Sequence, residues 1–272
     1  MTLDVLFIEV RVINLKIIVL AENTSEYKNL GCEHGLSLYI ETAKHRILFD
    51  TGQSELFSIN AKKLGVDLRK VDIAVLSHGH YDHSGGLKTF LNINKTAPVY
   101  INENAFGAFY NGAEKYIGLC DELKKADRLI LTDDMVVIDD ELSLSTCNSR
   151  PKFYDLGSFG LNKLVDGKFI PDDFLHEQYL YINDNNKKVL ISGCSHKGIL
   201  NIVNWFDVDV IIGGFHFSKL PLDEKLKEYA NYLSGFKTEF YTCHCTGLEQ
   251  YEFMKQYLDN LDYLSTGKTF II

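Results

Sequence analysis

Residues 72–91 read Asp-Ile-Ala-Val-Leu-Ser-His-Gly-His-Tyr-Asp-His-Ser-Gly-Gly-Leu-Lys-Thr-Phe-Leu. The apolar, partly β-branched start predicts a strand over 72–76. Directly behind it stand His78, His80, Asp82 and His83, while Gly79, Gly85 and Gly86 permit the sharp backbone turns that so tight a loop needs. Ser84 is placed to cap a following helix that presents Leu87, Phe90 and Leu91 on one stripe. Imidazole nitrogens with a carboxylate form a ligand set for zinc, iron or manganese. Three imidazoles crowded into six residues would repel one another when protonated, unless they share a cation. In such a loop His78 and His80 can serve one ion, and Asp82 and His83 its neighbour.

The pattern continues outward from this stretch. Strands are expected at 16–21, 36–41, 46–49, 99–101, 179–182, 188–191, 209–213 and 238–241, with helices at about 54–64, 198–206, 221–233 and 248–258. Gly65 and Gly235 are placed to end two of them. Short β-branched runs alternating with amphipathic segments mark an α/β layered domain. Six of the nine histidines then fall just beyond the C-terminal end of a strand: His78, His80, His83, His196, His216 and His244. That edge is where ligands bind in α/β sheets, so the six converge if the strands share one edge. Asp50 ends the strand 46–49, where its carboxylate can accept the outer N–H of a metal-bound imidazole and fix its orientation. His45 precedes that strand and belongs to the opposite edge.

Between about 102 and 186 the periodicity weakens. This stretch reads as an insertion covering one edge of the core, or a lid over a pocket, within a single domain spanning 1–272. A β extension of the core sheets explains it equally well. Short strands are expected there at 128–131, 135–138 and 142–145. His176 could line the pocket from this region, and His34 from the first half.

Composition bounds the partners. The 272 residues carry a formal charge of −9, with 46% apolar and 24% charged residues. An acidic globular chain of this kind lacks the clustered excess of Lys and Arg that nucleic acid demands, yet a bound metal can still attract a small anion. Six cysteines at irregular spacing suit reduced thiols in a cytoplasm. Cys243 and Cys245 flank His244 but lack the two-residue gap of common zinc pairs, so they read as buried structural thiols. Glu9, Arg11, Asn14 and Lys16 interrupt the apolar stretch 5–20, which argues for one or two strands rather than a membrane span or leader. The expected protein is cytoplasmic, with no membrane partner; its oligomeric state is not legible.

These residues resemble the metallo-β-lactamase superfamily, in order along the whole chain: Asp50-Thr51-Gly52, then Ser77 to Gly86, then single later histidines. The resemblance implies a four-layer αββα fold. Glu33-His34-Gly35, Gly193-Cys194-Ser195-His196-Lys197-Gly198, Gly213-Gly214-Phe215-His216 and Cys243-His244-Cys245-Thr246-Gly247 look like the branch of 7,8-dihydropterin-6-ylmethyl-4-(β-D-ribofuranosyl)aminobenzene 5′-phosphate synthases. By position it implies that His78, His80 and His196 hold a first metal, and Asp82, His83 and His244 a second. Most of the superfamily bridges the two ions with an aspartate. That position falls on His216 here, so His216 becomes a terminal ligand, an acid or base facing substrate, or a hydrogen-bond donor.

The resemblance further implies two divalent ions, zinc foremost, with manganese, iron or magnesium as alternatives. Their shared water, with its pKa lowered to around 7, would attack an ester, lactone or phosphoester. In the synthase branch a metal would instead help a diphosphate leave, while Phe153, Tyr154 and Phe159 stack on a pterin and Arg150, Lys152 and Lys197 meet phosphate. The expected partner is thus a small molecule, a pterin or phosphate compound. Two other classes compete: a nuclease or phosphodiesterase of this fold, against which the acidic charge counts, and a non-catalytic or redox metal protein. Redox members usually carry a carboxylate at the place of His80.

Overall fold

The computed structural model describes residues 15–272. The expected strand over 16–21 is present, and the part of that N-terminal reading before residue 15 lies outside the described residues. Side chains alternate across each strand, and this alternation sets the layers. Ile17, Val19, Ile47, Phe49, Ile73 and Val75 meet Leu180, Ile182, Val189, Ile191, Val210 and Ile212 in one buried seam between two sheets. The intervening residues face outward. Ile18, Leu20, Leu48 and Ala74 pack under helices Leu56–Lys63 and Leu87–Ile93. Leu190, Ile211 and Phe240 pack under Ile199–Trp205, Glu224–Ser234 and Leu248–Lys255. Strands apolar on both faces therefore become the two inner layers of a helix–sheet–sheet–helix sandwich. Truncating a fully buried isoleucine of the seam to alanine would cost about 2–5 kcal/mol.

The first sheet runs from edge to edge as Thr269–Ile271, Lys16–Ala21, Ser37–Glu41, Arg46–Phe49, Ile73–Val75, Val99–Asn102 and Leu129–Thr132. The second runs Leu261–Tyr263, Glu239–Thr242, Val210–Gly213, Lys187–Ile191, Tyr179–Asp184, Leu142–Ser145 and Met135–Val137. In the first, Arg46–Phe49, Ile73–Val75 and Val99–Asn102 pair in parallel; in the second, Lys187–Ile191, Val210–Gly213 and Glu239–Thr242 do so. Parallel pairing places the loops after these strands on a common edge of each sheet, which carries His78, His80, His83, His196, His216 and His244.

Residues 102–186 divide between two structures. Leu129–Thr132 continues the first sheet, while Met135–Val137, Leu142–Ser145 and Tyr179–Asp184 continue the second. Phe109–Asn111, Lys115–Tyr116, Leu161–Val165 and Lys168–Pro171 form a separate antiparallel sheet of four strands. Its buried side, with Phe109, Ile117, Leu161 and Phe174, packs against Tyr81 of the histidine loop.

Two local expectations are corrected. Ser84 does not cap the helix after the histidines; it lies within a short helix, Tyr81–Ser84, and its hydroxyl donates to the His80 carbonyl at 2.9 Å. The helix expected from residue 221 begins at Glu224, because the Asp223 carboxylate accepts from the backbone N–H groups of Lys225 and Leu226. Leu222 is consequently outside the helix and exposed. No helix among the described residues is long and apolar enough to cross a membrane.

Candidate metal centre

The centre is assembled by loops that turn sharply as they leave the strands. Asp50, Ser195, His216 and His244 adopt left-handed backbone, with φ of 57°, 55°, 57° and 51°. That conformation costs a residue with a Cβ about 1–2 kcal/mol. It swings the side chain back over the sheet edge, and the surrounding packing holds it there.

Two clusters of ligand atoms result. His78, His80 and His196 form the first, with His78 Nε2 and His196 Nε2 3.3 Å apart. The second joins His83, His244 and Asp82. His83 Nε2 and His244 Nε2 are 3.2 Å apart, and Asp82 Oδ2 lies 3.3 Å from His244 Nε2 and 3.9 Å from His83 Nε2. His34 Nε2 also reaches Asp82 Oδ2, at 3.2 Å, from an exposed position. All six residues of the two clusters are buried.

The outer ring nitrogens fix the tautomers. His83 Nδ1 donates to Asp50 Oδ2 at 2.7 Å. Ser77 donates its one hydroxyl proton to Asp50 Oδ2 at 2.7 Å, so it accepts from His78 Nδ1 at 2.8 Å. His244 Nδ1 donates to the Asn23 carbonyl oxygen at 2.8 Å, and Gly35 N–H fixes that amide's orientation by donating to the same oxygen. Each of these rings therefore turns a lone pair on Nε2 into the cluster.

Nε2 atoms 3.2–3.3 Å apart are spaced as ligands of one cation once His83 has given up its second proton. A tetrahedral zinc with Zn–N of 2.0–2.1 Å holds its nitrogen ligands about 3.3 Å apart, which matches both clusters. Among the described residues His80 Nε2, His196 Nδ1 and His216 Nδ1 are buried without a hydrogen-bond partner, a further sign of groups built for something other than each other. The residues thus fit a pair of divalent ions.

Charge differs between the clusters. Burial and the neighbouring imidazoles hold His78 and His196 well below the ordinary histidine range. Burial also works against charge on His83, but the Asp50 and Asp82 carboxylates outweigh it and bring its pKa up to about 9. Burial opposes the charge on Asp82 as well; His83, His244 and His34 nevertheless keep it well below the usual carboxylate range. Without metal, the first cluster is neutral and the second is an ion pair.

The remaining expected residues fall in several places. His216 stands beside the first cluster, its ring 4.4 Å from that of His196 and 5.1 Å from Phe159. It groups with Cys194 and Cys245, not with Asp82, His83 and His244. His176 does not face the cleft. It is buried behind His80, where Nδ1 accepts from Gly79 N–H at 2.9 Å and Nε2 meets Asp172 at 3.1 Å. Lys197 does not present its ammonium to a ligand; Nζ is turned into the wall and donates to the carbonyls of Thr146 and Glu177 at 2.7 and 2.9 Å. Burial brings its pKa down to about 8. Arg150 is likewise occupied, by the Trp205 carbonyl at 2.8 Å, and Phe153 is exposed. His45 lies at the opposite edge between Asp72 and Asp139.

Several supports carried no local signal. Glu22 is fully buried and accepts from His244 N–H at 2.6 Å and Tyr263 OH at 2.7 Å. Glu177 accepts from the backbone N–H groups of His196 and Lys197 and from Tyr179 OH. Cys194 and Cys245 are buried and also line the cleft, whereas Cys243 is buried in the inter-sheet core. The cleft measures about 150 Å³, with Lys115 and Lys219 also among its lining residues. Larger surface clefts exist, but those at Lys88–Leu123 and Ser58–Arg69 contain none of the histidines.

Comparison with known proteins agrees with this architecture. Residues 30–233 match the model of the metallo-beta-lactamase superfamily. An uncharacterized protein of Methanocaldococcus jannaschii is 34% identical over 92% of this chain and 97% of its own length. From the same organism, the 7,8-dihydropterin-6-methyl-4-(beta-D-ribofuranosyl)-aminobenzene-5'-phosphate synthase is 30% identical over 95% of this chain and 97% of its own. The crystal structure of Tm1679, a metal-dependent hydrolase of the beta-lactamase superfamily, superposes with a TM-score of 0.81 at 27% identity, covering 95% of this chain and 99% of that one.

Proposed function

The chain belongs to the metallo-beta-lactamase superfamily, and from that premise we propose that it is a metal-dependent enzyme acting on a phosphate-bearing small molecule. The observation that carries this reading is the pair of imidazole clusters in which the Nδ1 atoms of His78, His83 and His244 are hydrogen-bonded outward and Nε2 atoms of facing rings approach to 3.2–3.3 Å. His78, His80 and His196 would hold one ion, and Asp82, His83 and His244 the other. Two divalent ions bound there would supply Lewis acidity toward a phosphoryl oxygen and a water of lowered pKa.

The chain's own groups do the rest. Asp50 and Asn23 hold the second cluster's rings in register, and Glu177 anchors the loop that carries His196. His216, at the cleft wall with Nδ1 unpartnered among the described residues, is placed to pass a proton to a leaving oxygen. Lys115 and Lys219 add positive charge at the rim, which favours an anionic substrate over a neutral ester. The cleft accommodates a phosphoryl or diphosphoryl group, not a whole bicyclic ligand, so the organic part of the substrate would lie toward the four-stranded sheet. The relative named as a 7,8-dihydropterin-6-methyl-4-(beta-D-ribofuranosyl)-aminobenzene-5'-phosphate synthase supports a synthase reaction, for which we propose displacement of diphosphate; the likeness to a metal-dependent hydrolase supports hydrolysis as the second reading. All six cysteines are free, which suits a cytoplasmic setting.

The test is metal analysis combined with a substrate panel of phosphomonoesters, diphosphates, lactones and thioesters. Two ions per chain with turnover confined to phosphate compounds is the expected result. Turnover of lactones or thioesters alone would refute the phosphate assignment, and a parent protein that binds no ion would refute the metal centre.

A further inference from the structure

The two clusters differ in one respect that the six assigned ligands leave open. The first offers three neutral imidazoles, and the second a single carboxylate, so a pair of divalent ions would carry a large uncompensated charge in a buried cleft. An anionic side chain shared between them would offset it. His216 cannot provide it: a neutral imidazole has one free lone pair, and this ring lies beside His196 rather than between the clusters.

Cys194 stands at that place. Its Sγ is 3.1 Å from His83 Nε2, and it forms one ligand-sized group with His78 of the first cluster and His83 of the second. The backbone fixes it there. A Cβ on Gly193 would lie 2.2 Å from Ser77 Oγ and 3.1 Å from His78 Nδ1, so the strand end is pressed directly against the histidine loop. Behind Cys194, Cys245 Sγ reaches the Cys194 carbonyl at 3.6 Å, and His216 completes a second group with both sulfurs.

Resting on the metal-centre reading above, we propose that the Cys194 thiolate is the anionic ligand shared by the two ion positions. Its proton leaves to solvent as the ions bind. A thiolate sulfur has enough lone pairs to contact two ions at about 2.3 Å each, and ligand atoms around a tetrahedral zinc with mixed nitrogen and sulfur ligands lie about 3.3–3.6 Å apart, close to the spacing seen here. The consequence is selectivity. A sulfur ligand favours zinc or another thiophilic ion and disfavours magnesium and manganese, whatever the availability of oxygen ligands nearby.

Cobalt(II) titration of the metal-free protein tests this without reference to turnover. The parent should bind two cobalt ions and develop an intense near-ultraviolet thiolate-to-cobalt charge-transfer band. Cys194→Ser and Cys194→Asp should lose that band, the aspartate variant while still binding two ions; Cys245→Ser should keep it. Two cobalt ions with ligand-field bands alone would overturn the thiolate assignment and leave the metal centre standing. Loss of the band in Cys245→Ser but not in Cys194→Ser would overturn the choice of cysteine. A parent that binds no cobalt would overturn both readings. Should the Cys194 variants fail to fold, X-ray absorption on the zinc-loaded Cys245→Ser protein decides, since a missing sulfur shell there refutes the proposal.

Discussion

Asp50→Asn changes two atoms' chemistry and almost no volume, so its effect can be worked out from the contacts it disturbs. The Asp50 carboxylate accepts from Ser77 N–H at Oδ1 and from both Ser77 Oγ and His83 Nδ1 at Oδ2, each at 2.7 Å. An asparagine has one acceptor and one donor to fill those places. With its oxygen toward Ser77 N–H, its NH₂ faces His83 Nδ1, which must then accept; the imidazole proton moves to Nε2 and points at the ion position. With the amide turned over, its NH₂ meets Ser77 N–H in a fully buried place. Either orientation carries the cost of one mismatched buried donor, about 1–3 kcal/mol. At 1.4 kcal/mol per factor of ten, binding of the second ion should weaken roughly 5- to 140-fold. Competitive titration against a metal-binding indicator resolves the two stepwise constants, and nitrogen NMR of His83 reports its tautomer. The first ion should be affected less, because His78 reaches Asp50 only through Ser77. If both constants match the parent's, or if the first ion is lost while the second stays, the tautomer argument is wrong.

Three further outcomes follow from the same geometry. In the metal-free protein His83 keeps its proton up to about pH 9, so an ion entering the second cluster must expel it; between neutrality and pH 9 its affinity should rise more steeply with pH than that of the first ion, whose His78 and His196 are neutral already, and equal slopes in calorimetric titrations would contradict this. His196→Ala should reduce the metal content from two ions to one, whereas His176→Ala should keep both and cost about 2–4 kcal/mol in urea unfolding, because it strands Gly79 N–H and leaves a void; loss of an ion from the second variant would place His176 in the centre after all. Gly193→Ala should destabilise the fold by about 1–3 kcal/mol and weaken the first ion, since its methyl would drive Ser77 Oγ away from His78; an unchanged melting point and metal content would contradict the close approach.

The layered fold was legible because both faces of its central strands are buried, and continuous apolar runs of four to six residues have few other uses. The convergence of the histidines was legible for a related reason. His78 to His83 are local in sequence, and His196 and His244 each follow a strand whose end could be read from its apolar run. What stayed hidden depends on where an atom at the end of a side chain comes to rest. Lys197 lies next to His196, yet its ammonium folds back onto Thr146 and Glu177, carbonyls from distant segments. His176 sits before a strand and turns inward, because Asp172 lies four residues back to meet its ring. Cys194 follows a strand as His196 does and could have been weighed on that ground. Its nearness to His83, 111 residues earlier, arises only when the two sheets are packed together.

The left-handed turns at Asp50, Ser195, His216 and His244 have a bearing on anyone who would re-purpose this scaffold. At these positions the backbone and the side chain make separate demands. Glycine or asparagine eases the turn but deletes the chemistry, while a bulky or β-branched newcomer meets its penalty at the main chain before its functional group reaches the cleft. A library spread over them would be filled with misfolded members. Asn111 and Lys115 border the same cleft on backbone outside the left-handed region, and new specificity would be grafted there with the least disturbance to the histidine frame.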